Sequence, residues 1–378
     1  MVAPAPTDTI AATHRRYTAP VSSRMHRRRP NVQRRRALAA VVVVVALGVV
    51  LLALDGGSKT PSPPVTTGTT TTPVTPTSRP PSPPFAVGTV TLTLTEPAAP
   101  GGAVRTLSTT VRYPARGAPG SPDQAGVPPL RTGGPYPLVV FSEGFGISPE
   151  AYALLLDTWA AAGYVVADPV YPFTAPTSPG GLVRTDIVHH PADLSFVISS
   201  LLDDAAATGS TLSGLIDPAK VGVIGHSDGG DVSLAAAVNT CCRDSRIKAA
   251  VILSGAELSW FPGTYYTTPA VPLLVVQGTD DPSYNPPSCS IQLYNQAPQP
   301  KYYLSMIGQT HESAYLMAGA PLDVVAKVTI DFLDGYLRHS TSKLGAMSRD
   351  GTVPGLATLT NTSSLGPAPG SCPGAPPG

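Results

Sequence analysis

Cysteine is scarce in this chain and charge is almost balanced, and each shortage excludes something. Only four cysteines occur in 378 residues: Cys241, Cys242, Cys289 and Cys372. Their spacing matches no zinc pattern, so no metal is expected. The formal net charge is +1, which removes the case for nucleic-acid binding by the whole chain. No internal repeat is apparent. What the chain has in excess is proline, 44 residues, and a lopsided placement of arginine.

Arg15, Arg16, Arg24, Arg27 to Arg29 and Arg34 to Arg36 all precede residue 37, with Asp8 as the only acid there. Residues 37–54 follow as an uncharged apolar run rich in Val and Leu. As a helix it spans about 27 Å, close to the hydrocarbon thickness of a bilayer. Basic residues stay on the cytoplasmic side. Residues 1–36 are therefore expected to be a cytoplasmic arm and 37–54 a single transmembrane signal anchor, with everything after Asp55 outside. The alternative is a cleaved signal and a secreted protein, but Leu52-Ala53-Leu54-Asp55 is a poor cleavage site. No Cys near the end of the run invites lipoprotein processing. Residues 55–84 are Pro/Thr-rich, too poor in apolar side chains for a core, and are expected to form a disordered, extended stalk. Residues 341–378 read as a low-complexity C-terminal tail. Residues 85–340 remain as one globular domain.

An outward location permits disulfides. Adjacent Cys241 and Cys242 are not expected to bond each other. One is expected to reach Cys289 and the other Cys372.

Within 85–340, short apolar strands alternate with helices. Thr/Val-rich segments 87–94 and 105–113 flank Gly101-Gly102 as a hairpin. Segments 138–141, 164–167, 249–253, 273–277 and 302–306 read as further strands. Helices are expected from Pro149 to Ala162, over 191–202 and over 321–338. This alternation predicts an α/β fold with a mostly parallel sheet covered on both faces. Ligands bind such sheets at the carboxyl ends of the strands.

One of those ends carries chemistry. Val221 to Ile224 runs into Gly225-His226-Ser227-Asp228-Gly229, a G-x-S-x-G pattern between a strand and an Ala-rich helix. A serine forced through such a turn needs neighbours without a Cβ, which Gly225 and Gly229 supply. Serine is a weak nucleophile and needs a base. His14 and His26 lie in the basic arm. His189 and His190 precede a helix, and His339 ends one. The ring of His226 should point away from the serine hydroxyl. His311, in the loop after the last strand, is the expected base. The strand ending at Gln277 leads into Gly278-Thr279-Asp280-Asp281, and Asp281 rather than Asp280 is expected to orient the base. The oxyanion donors are expected to be the N–H groups of Asp228 and of Phe145, which lies in Ser142-Glu143-Gly144-Phe145-Gly146. Trp260, Phe261, Tyr265 and Tyr266 are candidate walls of an acyl pocket.

These stretches, with Ala162 to Pro169 and His190 to Val197, resemble the α/β-hydrolase superfamily. The nearest likeness is to its dienelactone-hydrolase-like, platelet-activating-factor-acetylhydrolase-like and polyester-hydrolase-like branch. The resemblance implies a sheet of about eight strands, a Ser227–His311–Asp281 triad, an oxyanion hole at Phe145 and Asp228, and no cofactor. The expected activity is hydrolysis of a small-molecule, lipid or polyester ester through an acyl-enzyme. Acyl transfer or peptide hydrolysis on the same triad, or a catalytically silent envelope-binding module, are the alternatives. Two residues depart from the family pattern. Glu143 stands where His is common, and a carboxylate there opposes an oxyanion unless it turns away or is neutralised. Asp228 places another carboxylate directly after the nucleophile.

Overall fold

The computed structural model describes residues 83–98, 103–120, 123–266, 269–282 and 285–372. The basic arm, the apolar run 37–54, nearly all of the stalk and the Gly101-Gly102 turn lie outside the described residues. No helix among the described residues is long and apolar enough to cross a membrane.

Among the described residues, ten strands form one sheet. In chain order they are β1 (Ala86–Glu96), β2 (Arg105–Ala115), β3 (Gln124–Ala125), β4 (Tyr136–Ser142), β5 (Val165–Val170), β6 (Ile216–His226), β7 (Ile247–Leu253), β8 (Leu273–Gly278), β9 (Lys301–Met306) and β10 (Ala357–Thr360). Their spatial order is β10-β9-β8-β7-β6-β4-β5-β2-β1-β3. The run from β5 through β4, β6, β7 and β8 to β9 is parallel. β2 pairs antiparallel with both β1 and β5. The eight expected strands are all present. The additions are the two-residue β3 at one edge and β10 at the other.

The central strands are continuous apolar runs because both faces of the sheet are covered. Within β4, Leu138 and Val140 face one core and Val139 and Phe141 the other. The first core takes α2 (His190–Ala206), α3 (Asp228–Val238) and α4 (Pro287–Gln296). The second takes α1 (Ala153–Ala161), the short α5 (Ser313–Leu316) and α6 (Ala320–Leu337). α3 is buried along its whole length, which explains why its sequence is small and apolar apart from Asp228, Asp231 and Ser233.

Two expectations need correction. The tail is part of the folded body as far as residue 372. α7 (Thr341–Asp350) packs on α6, seating Met347 in the second core, and β10 pairs antiparallel with β9. Low complexity was misleading here, because a four-residue strand needs only one open sheet edge. The cysteine pairing also differs. Cys241 bonds its neighbour Cys242, while Cys289 bonds Cys372 across 83 residues of sequence. The tail runs back over α4, where Ser288 Oγ donates to the Ser371 carbonyl at 3.0 Å. That path brings Cys372 to Cys289, with a Cα separation of 4.6 Å, and leaves the adjacent pair to each other.

Candidate active site

β6 lies in the middle of the parallel run and ends at His226. The chain then turns sharply into α3. Ser227 takes φ 56° and ψ −126°, a conformation that costs a non-glycine residue about 1–3 kcal/mol. Surrounding contacts impose it. A Cβ at Gly225 would sit 2.0 Å from the Gly229 carbonyl oxygen, and one at Gly229 would sit 2.1 Å from the Ser142 oxygen. No side chain fits at either place, so β4, β6 and α3 close up and push Ser227 outward, half-buried. Ser227 N donates to the Leu253 carbonyl at 2.9 Å, which ties the turn to β7.

The loops after β8 and β9 bring the next two side chains together. His311 Nδ1 lies 2.7 Å from Asp281 Oδ2. The carboxylate of Asp281 is fully buried, while the imidazole is 17% exposed. Asp280, by contrast, is exposed, and its backbone N–H donates to the Gln309 carbonyl at 3.0 Å. Gly278 lets the two loops touch, since a Cβ there would meet the Gln309 oxygen at 2.3 Å. His311 also lies against the elbow: its ring centroid is 4.7 Å from that of His226, the residue before Ser227.

Phe145 sits in the loop after β4, half-buried. Gly146 takes φ 71°, and its N–H donates to the Thr174 carbonyl at 2.9 Å, which fixes this loop to the segment after β5. Glu143 turns away from the serine side. One carboxyl oxygen accepts from the Tyr171 N–H at 3.1 Å. Burial pushes its carboxyl up to about 8, so it is neutral at pH 7. Asp228 is met by Arg184, whose Nε and Nη2 donate to the two carboxylate oxygens at 2.9 and 2.6 Å. The same guanidinium lies 5.5 Å over the Trp260 ring.

The family model described as PET hydrolase-like matches residues 132–343, more than half of the chain. The chain belongs to the PET hydrolase-like family. With that family it is a carboxylic ester hydrolase of the α/β-hydrolase fold, an esterase-type serine hydrolase. A solved structure of a ferulic acid esterase from Streptomyces cinnamoneus is similar in fold, with a TM-score of 0.51 and 22% identity over 72% of this chain and 94% of that one. Ser227, Asp281, His311, Phe145 and Asp228 all fall within the span of the family match.

The candidate acyl pocket dissolves except for one residue. Phe261 and Tyr265 are buried in the first core, and Tyr266 packs against it. Their spare hydrogen-bonding capacity is used there, with Tyr265 Oη donating to Leu258 O and Tyr266 Oη to Leu293 O. Only Trp260 is open, at 40% exposure. Three contributors were missed from sequence. Arg184 opens a short 3-10 turn (Arg184–His189) and carries no local sequence signal. Gln277 ends an apolar strand, a readable sign of a buried polar role; its Nε2 donates to Asp281 Oδ2 at 2.9 Å. Ser290 on α4 in turn donates to Gln277 Oε1. Among the described residues no group of three His, Cys, Asp or Glu side chains is arranged to hold a metal ion.

Arg184→Ala removes both hydrogen bonds that hold Asp228 and leaves its charge one residue from Ser227. The expected result is a fall of about tenfold in kcat on a short ester, largely restored by adding Asp228→Asn, measured by steady-state kinetics. Glu143 carries a pH signature. Between its ordinary value of 4.5 and about 8, the folded chain holds a proton that the unfolded chain has released. Its contribution to stability therefore declines as pH rises through that window. Glu143→Gln abolishes this slope, so the variant's melting temperature should match the parent's at pH 5 and exceed it at pH 8.

Proposed function

We propose that the chain is an outward-facing serine esterase, tethered to the membrane, that works through an acyl-enzyme on Ser227. The observation that carries the reading is the 2.7 Å contact between His311 and the buried Asp281, made by loops that pack against a strained Ser227 elbow. A carboxylate acceptor at Nδ1 keeps the proton on that nitrogen and leaves the Nε2 lone pair for the serine. His311 then takes the Ser227 proton as Oγ attacks the ester carbonyl carbon. The oxyanion is held by the N–H groups of Phe145 and Asp228, and the start of α3 favours negative charge there. The intermediate collapses, His311 returns the proton to the departing alcohol, and a water molecule activated by the same imidazole releases the acid.

The rim supports a hydrophobic ester. Phe173, Leu182, Val183 and Trp260 are exposed. They adjoin the site through bonded neighbours: Leu182 approaches Gly146, Val183 N donates to Phe173 O at 2.7 Å, and Arg184 joins Asp228 to Trp260. A small-molecule, lipid or polyester ester fits this rim. The tether rests on the basic arm and the apolar run 37–54.

Ser227→Ala should lower kcat on short p-nitrophenyl esters by at least about 10⁴-fold and abolish covalent labelling by a fluorophosphonate. Parental turnover in that variant excludes the mechanism. For the tether, the full chain should stay in the pellet after carbonate washing of membranes, and deletion of residues 1–54 should release it. Release of a shortened chain points to a cleaved signal, and release of the intact chain to peripheral attachment.

A further inference from the structure

His226 is a fully buried imidazole that the proposed chemistry leaves unused. Its Nε2 lies 2.8 Å from the backbone carbonyl oxygen of His311. A carbonyl only accepts, so the proton of the neutral ring belongs on Nε2 and Nδ1 is left as an acceptor. Tyr152 Oη lies 2.7 Å from that Nδ1 and donates to it. The same hydroxyl oxygen accepts from the Gly144 N–H at 3.2 Å. One directional chain thus runs from the loop after β4, beside Phe145, through the residue preceding the nucleophile, to the backbone of the base.

The surroundings hold this chain in one arrangement. Both side chains are sealed from water. The His226 ring sits between Tyr152 and Tyr315, with centroid distances of 5.6 and 5.0 Å. Tyr315 is itself pinned to Ser254 Oγ and Val276 O. A Cβ on Gly144 would press on His226 Nδ1 at 3.1 Å and on Tyr152 Oη at 3.2 Å, so the glycine makes room for the contact. Burial, with His311 beside it, holds His226 down to about 3, so the ring stays neutral throughout the range in which an esterase works.

We propose that Tyr152 and His226 are positioning residues that set the spacing between the oxyanion loop and the base loop, the hydroxyl and the imidazole acting as one unit. Neither side chain touches substrate. Their effect is on how well the Phe145 N–H and the His311 ring are aligned when charge develops, and a misplacement of about 1 Å there can cost about 10²-fold in rate. The inference rests on the Ser227–His311–Asp281 reading given above.

The test uses the full chain in detergent, with turnover of a short p-nitrophenyl ester expressed per site labelled to completion by a fluorophosphonate. Tyr152→Phe removes one oxygen and keeps the ring, and His226→Leu removes both ring nitrogens. Each should lower kcat per labelled site by about 10- to 100-fold with KM within about twofold. His226→Gln, which keeps an N–H for the His311 carbonyl, should recover most of the His226→Leu loss. The double variant Tyr152→Phe/His226→Leu should be no slower than the slower single, as expected of groups that act as a unit. Parental kcat per site in both singles, or losses that multiply in the double variant, overturns the proposal. Normalising to labelled sites removes the effect of misfolded protein. Ser227→Ala run alongside separates the two possible failures: its parental turnover would sink the catalytic reading itself, whereas an inactive Ser227→Ala beside fully active Tyr152→Phe and His226→Leu sinks only the relay.

Discussion

The close approach of three backbones at the end of β6 is the constraint on which the active centre depends. Gly225 and Gly229 exist so that β6, α3 and the end of β4 can pass at distances no Cβ tolerates. That crowding leaves Ser227 no relaxed conformation, and the strain is offset by a sheet whose central strands are buried on both faces. A stiff, doubly covered sheet is therefore part of the proposed chemistry. A looser core would let the elbow relax and draw the hydroxyl back toward the body of the protein.

The electrostatics around that elbow follow from a conflict. The site proposed to stabilise an oxyanion is crowded with carboxyl groups: Glu143, Asp228, Asp231 and Asp281. Each is handled differently. Glu143 is buried until it holds its proton. Asp228 is paired with a two-pronged Arg184. Asp231, one turn into α3, is pushed well above the carboxylate range by burial and by Asp228 beside it, while one of its oxygens accepts from Ala256 N and Asn285 Nδ2. Asp281 alone meets the imidazole. Three of the four are thus removed as free negative charge near the proposed oxyanion site, and the fourth is placed to steady the cation that the proposed mechanism forms at His311.

How much of this was legible follows from the range of each interaction. The elbow could be read because its geometry is local and demands glycine at fixed offsets. The eight strands could be read because burial on both faces writes continuous apolar runs. The meeting of Asp281 and His311 could be read because each follows a strand, and the carboxyl ends of parallel strands lie side by side. Arg184 could not: its partner is far away in sequence, and nothing in Gly-Leu-Val-Arg announces a salt bridge. The aromatic cluster after β7 misled because composition does not show direction. Phe261, Tyr265 and Tyr266 point into the core, and only Trp260 faces out. Glu143 looked like an obstacle because residue type carries a formal charge, while the charge actually held depends on burial.

The C-terminal segment gives the sharpest contrast between composition and role. Residues 361–372 look like filler, yet they run over α4 and end in a bond to Cys289. The next residue, Ser290, donates to Gln277, and Gln277 donates to Asp281. A Pro/Gly-rich tail is therefore only a few bonds from the Asp281 carboxylate that meets His311. The arrangement has a physical logic. α4 is a short helix of ten residues with Pro at its start, and a helix of that length is marginal without tertiary support. Tying its first turn to the tail, and the tail to the sheet through β10, gives Ser290 a fixed place from which to hold Gln277. The stability of an apparently peripheral strap thereby becomes a condition on the geometry of the active centre.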